Sequence, residues 1–157
     1  MHSEYLRKLF LNNELATGHY IVADRPIALT DITVPIFAVG TEKDHVAPWK
    51  SVYKLHLLTD TEITFCLTTG GHNAGIVSEP GHKNRFYRIA TTGAKDKYID
   101  PELWVAKTPS TEGSWWTSWV KWLDSKSTKN IAAPTMGNNK AGYPVLDNAP
   151  GKYILMP

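Results

Sequence analysis

The sequence predicts an α/β fold built on parallel strands, and three stretches carry that expectation. Val34 to Val39 is a continuous apolar run broken only by Pro35, and Ile63 to Leu67, which holds Cys66, reads as the next strand. Between them, Trp49, Val52, Tyr53, Leu55 and Leu58 recur at helical spacing. Continuous rather than alternating apolar runs mark strands covered on both faces, as in parallel sheets. A strand, a crossover helix and a second strand of these lengths form a right-handed unit with parallel strands.

Composition narrows the class. The chain has 157 residues, enough for one domain that buries about 68–70% of its unfolded surface. Hydrophobic residues at 42% and charged residues at 20% are ordinary globular values. A net charge of +2 without a basic cluster gives no support for nucleic-acid binding or a polybasic membrane patch. The single cysteine rules out an internal disulfide and suits a reducing compartment. The first residues have no apolar core of signal-peptide length. No apolar run approaches the roughly 20 residues needed for a bilayer span. The expectation is a soluble, cytoplasmic protein.

Each element follows from its residues. Tyr5 to Leu15 has apolar residues at Tyr5, Leu6, Leu9 and Phe10, which predicts a helix fraying at Asn12, Asn13 and Gly18. It starts almost at Met1 with no N-cap. His19–Val22 and Pro26–Leu29 flank Ala23-Asp24-Arg25 as a small hairpin, and residues 29–32 form a short helical turn. Pro35 sits at the start of the first long strand, where a missing N–H breaks few ladder bonds. Gly40 ends that strand, and Pro48 suits the first turn of the crossover helix. Gly70-Gly71 supplies a tight turn after the second strand. Asn73 to Val77 opens a helix, and Pro80 to Ala94 is compatible with strand or loop. Asp100-Pro101 reads as N-cap and first helical residue of a helix to about Lys107. Ser114 caps a helix to Leu123 on which Trp115, Trp116, Trp119, Trp122 and Leu123 share roughly a 120° arc. That arc is wide enough to be core, although the pair Trp115-Trp116 leaves one ring free to meet something other than the sheet. From Asn130 to Pro157 the prolines and glycines exclude a long helix. Tyr143, Val145, Leu146, Tyr153 and Ile154 give this tail apolar groups with which to pack.

Two residues suited to proton chemistry leave the carboxyl ends of the two predicted parallel strands. Asp44 follows the first and His72 the second, at the edge where open α/β sheets hold ligands. In hydrolases built this way the chain order is nucleophile, acid, histidine. The carboxylate holds one imidazole proton while the other nitrogen reaches the nucleophile. The plainer alternative makes Asp44 a turn or cap residue and His72 a loop histidine. His45 and Asn73 are candidate pocket residues, with simple solvation as the alternative for His45. The histidines have no metal-ligand spacing, so no metal site is expected. Cys66 sits in an apolar strand rather than on an exposed elbow, so it reads as core. No G-x-S-x-G or G-x-C-x-G occurs, and the chain holds no recognisable nucleophile.

These motifs carry a resemblance. G-T-E-K-D-H-V-A-P-W (Gly40 to Trp49) and G-G-H-N-A-G-I (Gly70 to Ile76) resemble the acid and histidine motifs of the polyhydroxyalkanoate synthases, or poly(3-hydroxyalkanoate) polymerases. G-S-W-W (Gly113 to Trp116) is similar to the family's late tryptophan motif. Y-L-R-K-L-F-L-N-N-E-L (Tyr5 to Leu15) resembles the end of its cap region, and A-P-G-K-Y (Ala149 to Tyr153) its close. The resemblance runs through essentially the whole chain in the same order. It implies the C-terminal part of an α/β-hydrolase fold, incomplete without its N-terminal part. The implied organisation is residues 1–19 as the end of the cap, 20–127 as part of the catalytic domain, and 128–157 as an extended tail packed on it. The implied reaction moves 3-hydroxyacyl units from coenzyme A thioesters to a growing polyester through a Cys-His-Asp triad. His72 matches the histidine that activates the cysteine. Asp44 matches the carboxylate that orients His72 or helps activate the incoming 3-hydroxyl.

Family members extend much further on the N-terminal side, where the nucleophile elbow lies, so this chain alone is expected to be inactive. The resemblance implies no cofactor beyond the thioester substrate. Expected partners are the acyl-coenzyme A, the polyester chain, the missing N-terminal part and a second copy in a homodimer. The expected location is the cytoplasm, at the surface of polyester granules. The competing readings are a fragment of another α/β hydrolase, such as an esterase or polyester depolymerase, and a non-catalytic granule-docking module.

Overall fold

A computed structural model describes residues 1–156. Pro157, counted above with the tail's prolines, lies outside the described residues. The chain divides into two compact units, Met1–Leu123 and Asp124–Pro157.

The first unit is mixed α/β, and its four-stranded sheet has the order β3-β4-β5-β6. Strand β3 (Ile36–Thr41) pairs in parallel with β4 (Ile63–Thr68). The ladder opens where Ile36 N donates to Glu62 O at 2.9 Å. Thr61 Oγ1 donates to Val34 O at 3.0 Å. The strand therefore starts after Pro35, which has no N–H to give, rather than at Val34. Gly40 does not end it. A Cβ at Gly40 would lie 2.9 Å from Trp49 Cβ, so glycine here is what lets the crossover helix lie close on the strand.

The crossover is two short helices, α2 (Trp49–Tyr53) and α3 (Leu55–Leu58), rather than one. The break at Lys54 leaves Tyr53 buried, with its hydroxyl donating to Ile99 O at 3.0 Å. Strand β4 is buried along its whole length, Thr64 and Thr68 included, whereas β3, whose continuous apolar run predicts cover on both faces, is only partly covered. Because alternate side chains leave opposite faces, β4 serves two cores. Ile63, Phe65 and Leu67 pack with Ala38, Tyr53 and Trp104. Cys66 packs with Tyr87 and Trp115.

The undecided stretch is β5 (Phe86–Thr92), antiparallel to β4, and it is followed by β6 (Ser110–Glu112), antiparallel to β5. Three exposed polar residues carry no period, so β6 was invisible in the sequence. Helix α4 (Pro101–Lys107) starts as its residues dictate, with Asp100 accepting from Leu103 N at 2.9 Å and Pro101 opening the first turn. It presses Trp104 edge-on against Phe65 at 5.2 Å between ring centres. Ser114 Oγ accepts from Trp116 N at 3.1 Å and starts α5 (Trp116–Lys126).

The chain's beginning departs from expectation. A short α1 (His2–Glu4) continues as a π-helix over Tyr5–Leu11. Its wider turn takes apolar groups spaced for 3.6 residues off a single face. Tyr5, Leu6, Phe10 and Leu11 are accordingly exposed. The expected hairpin is present as β1 (Tyr20–Val22) and β2 (Arg25–Ile27), turning through Ala23 and Asp24 at φ 48° and 61°. A 3₁₀ turn follows at Leu29–Asp31.

Among its described residues the second unit has the last residues of α5, the 3₁₀ turns Asn139–Ala141 and Tyr153–Leu155, and a bridge between Asn138 and Tyr143. Its apolar side chains, including Ile131, Tyr143, Leu146 and Tyr153, are exposed. Among the described residues, no helix is long and apolar enough to cross a membrane.

Candidate functional site

The loop after β3 is built around Asp44. Glu42 N extends the parallel ladder to Thr68 O at 2.9 Å, and Lys43 N reaches Gly70 O at 3.0 Å. The loop then folds back, and Asp44 Oδ1 accepts from Val46 N and Ala47 N, both at 2.9 Å. Asp44 is thus a loop organiser, as the plainer reading holds, and this same role aims its carboxylate. His72 Nδ1 lies 2.9 Å from Asp44 Oδ2 and 3.1 Å from Oδ1. The Asp44 side chain is 8% exposed and that of His72 47%.

The electrostatics follow from these contacts. The Ala47 N–H, with the His72 imidazole and the Val46 N–H behind it, outweighs desolvation and holds the Asp44 carboxyl down to about 2. An ionised carboxylate only accepts hydrogen bonds, so the proton of the pair sits on His72 Nδ1. The neutral ring then has its lone pair on Nε2, the position a general base requires.

His72 is placed by the glycine loop. Gly70 adopts φ 115°, open to glycine but not to most side chains. Gly75 N donates back to Gly71 O at 3.0 Å. A Cβ on Gly75 would come 2.5 Å from Thr41 Cγ2, so this loop lies directly on the end of β3. The helix expected from Asn73 to Val77 is a single turn, closed by Val77 N on Asn73 O at 2.9 Å. Beyond it the tryptophan motif grips the same loop. Trp115 Nε1 donates to Gly75 O at 3.1 Å, Trp116 Nε1 to Ile76 O at 2.9 Å, and Ser114 Oγ to Ser78 O. The sequence treats these indoles as core or as a free surface. Their N–H groups give no periodic signal, and only the twin tryptophans hint at a second task.

The other candidates stand apart. His45 and Asn73 are exposed, and neither side chain joins the Asp44–His72 pair. Asn73 contributes its backbone carbonyl to the loop turn. Cys66 is fully buried, and burial pushes its thiol up to about 12, which keeps it from acting as a thiolate near neutral pH. Among the described residues, no three His, Cys, Asp or Glu side chains cluster as metal ligands. A second histidine–carboxylate pair, His82 with Glu79 at 2.9 Å, joins residues three apart on the surface and has no comparable support from the sheet.

No protein-family model matches the chain. Among characterised proteins it is similar to the poly(3-hydroxyalkanoate) polymerase subunit PhaC of Rhizobium meliloti, with 36% identity over 155 residues, 98% of this chain and 24% of that protein. It is likewise 36% identical over 156 residues to the poly(3-hydroxyalkanoate) polymerase of Methylorubrum extorquens, 99% of this chain and 25% of the relative. The PhaC subunit of Cupriavidus necator is 34% identical over 151 residues, 96% of this chain and 25% of that protein. The chain thus spans about a quarter of the length of these relatives.

Proposed function

Nearly the whole chain corresponds to a portion of the poly(3-hydroxyalkanoate) polymerase family, and from that premise we propose that it is the C-terminal catalytic portion of a polyester synthase with an α/β-hydrolase fold. The observation that carries this reading is the Asp44–His72 pair at 2.9 Å, formed between loops at the carboxyl ends of two adjacent parallel strands. Asp44 holds the Nδ1 proton and stabilises the imidazolium. His72 Nε2 takes the proton of a cysteine thiol that lies outside this chain. The thiolate attacks the thioester carbonyl of a 3-hydroxyacyl-coenzyme A, the carbon–sulfur bond to coenzyme A breaks as the His72 imidazolium gives its proton to the departing sulfur, and an acyl-cysteine remains. A hydroxyl group then attacks that acyl-cysteine, His72 receives its proton and passes it to the cysteine sulfur as the acyl–sulfur bond breaks, and the new ester bond extends the polymer. On this reading the work is done in the cytoplasm at the granule surface.

The test is coenzyme A release from 3-hydroxybutyryl-coenzyme A. The isolated chain should release none above background. Supplied with a complementary portion that carries the nucleophile, it should become active, and Asp44→Asn and His72→Gln should each cut the rate on the order of 10³–10⁴-fold. Release by the isolated chain, or full activity in the His72→Gln variant, overturns the proposal. If the complementary portion carries serine instead of cysteine and ester hydrolysis replaces transfer, the related hydrolase reading takes its place.

A further inference from the structure

We propose that the Ser114-Trp115-Trp116 turn is a positioning clamp for His72. Three consecutive side chains give three hydrogen-bond donors, and all three end on carbonyls of one loop, those of Ser78, Gly75 and Ile76. Packing alone would not need this. A phenylalanine fills an apolar slot, whereas an indole combines an apolar body with an N–H that only donates.

The clamp has a fixed base. Trp115 is 6% exposed and packs with Cys66 and Tyr87 on one face of the sheet. It also stacks on Phe37 at 6.2 Å. Tyr87 in turn bonds Ser118 Oγ at 2.8 Å, which ties the start of α5 to β5. From Trp115 the connection to the histidine is short. The indole N–H holds Gly75 O, Gly75 N holds Gly71 O, and Gly71 precedes His72. The loop is thereby pinned from one side by the tryptophans and from the other by Thr41, against which Gly75 lies. Asp44, anchored by its own loop, meets an imidazole whose position is set by β3 and α5 together. Trp115 and Trp116 are therefore positioning residues that act through His72. Their catalytic meaning rests on the proposed function, although their effect on the histidine does not.

The readout is the tautomer of His72, followed by imidazole 15N shifts in the labelled full chain at a pH where the ring is neutral. Free imidazole side chains prefer the proton on Nε2, so an Nδ1–H ring reports contact with Asp44. The wild-type ring should be predominantly Nδ1–H. Trp115→Phe and Trp116→Phe keep an aromatic ring but remove the N–H, and each should lower the Nδ1–H to Nε2–H ratio roughly tenfold, the scale of one lost intramolecular hydrogen bond. Trp119→Phe, on the same helix, should leave the ratio unchanged. The Trp104 indole signal reports that the core is intact. Should Trp115→Phe fail to fold, Trp116→Phe, whose ring reaches the surface, carries the test by itself.

A ratio within about twofold of wild type in folded Trp116→Phe, or an equal change in Trp119→Phe, overturns the clamp. An Nε2–H ring in the wild type overturns the Asp44–His72 reading itself, so the two failures are told apart. Loss of coenzyme A release in a complemented enzyme whose tautomer is unchanged also counts against the clamp.

Discussion

The Asp44 carboxylate accepts from two backbone N–H groups and one imidazole, and this concentration of donors makes it the most perturbed acid of the site. Its folded value of about 2 lies below the ordinary 3.8, so the unfolded chain binds a proton more readily. Ionised Asp44 therefore contributes stability that is complete above about pH 4 and is lost as the pH falls through 2. A carboxyl 13C titration should place the midpoint near 2, and the pH dependence of urea unfolding between 4 and 2 should flatten in Asp44→Asn. A midpoint near 3.8 would mean that the three donors do not hold the group. The identity and strand-end position of this residue were legible in the sequence. Its partnership with Val46 and Ala47 was not, because an aspartate that organises a turn and one that serves a histidine look alike until the loop is folded.

At the scale of elements, the parts that declared themselves were those with an explicit chemical signal. Asp100-Pro101 starts α4 as cap and first-turn residue, and the two apolar runs pair in parallel. The π-helix, β6 and the break between α2 and α3 depend on tertiary packing or are too short for a period. The glycine loop lies between these cases. Its turn was evident from Gly70-Gly71, but Gly75 is required by a contact with Thr41, distant in sequence. Gly75→Ala would drive a Cβ to 2.5 Å from Thr41 Cγ2 and 3.0 Å from Thr69 O, and should destabilise the chain by about 1–3 kcal/mol through overpacking. Thr41→Ser removes the nearer obstacle. In a double-mutant cycle read by urea unfolding it should recover part of that loss, leaving a coupling of at least about 0.5 kcal/mol. Strict additivity would show that the loop does not rest on the strand as described.

For the molecule as a whole, the sheet order among the described residues leaves β3 at an end with one edge unpaired. The apolar run of residues 34–39 predicts a strand covered on both faces, yet β3 is only partly buried while its neighbour β4 is buried throughout. A sequence run reports what a strand can bury, and this one can bury more than its own chain covers. Ile36 and Glu42 turn their N–H groups toward β4, so by strand alternation Phe37 and Val39 point theirs at the open edge. Such an edge is a template for another strand. The isolated chain should therefore associate with rising concentration in sedimentation velocity. Val39→Pro deletes an edge donor without removing a β3–β4 bond, and should weaken that association by roughly tenfold or more, the scale of losing one or two intermolecular hydrogen bonds. A complementary portion that pairs with β3 should suppress self-association in the wild type and lose affinity for Val39→Pro to a similar degree. If Val39→Pro keeps its circular dichroism and associates as strongly as the wild type, the open backbone edge is not what draws copies together, and the exposed apolar side chains become the surface to alter next.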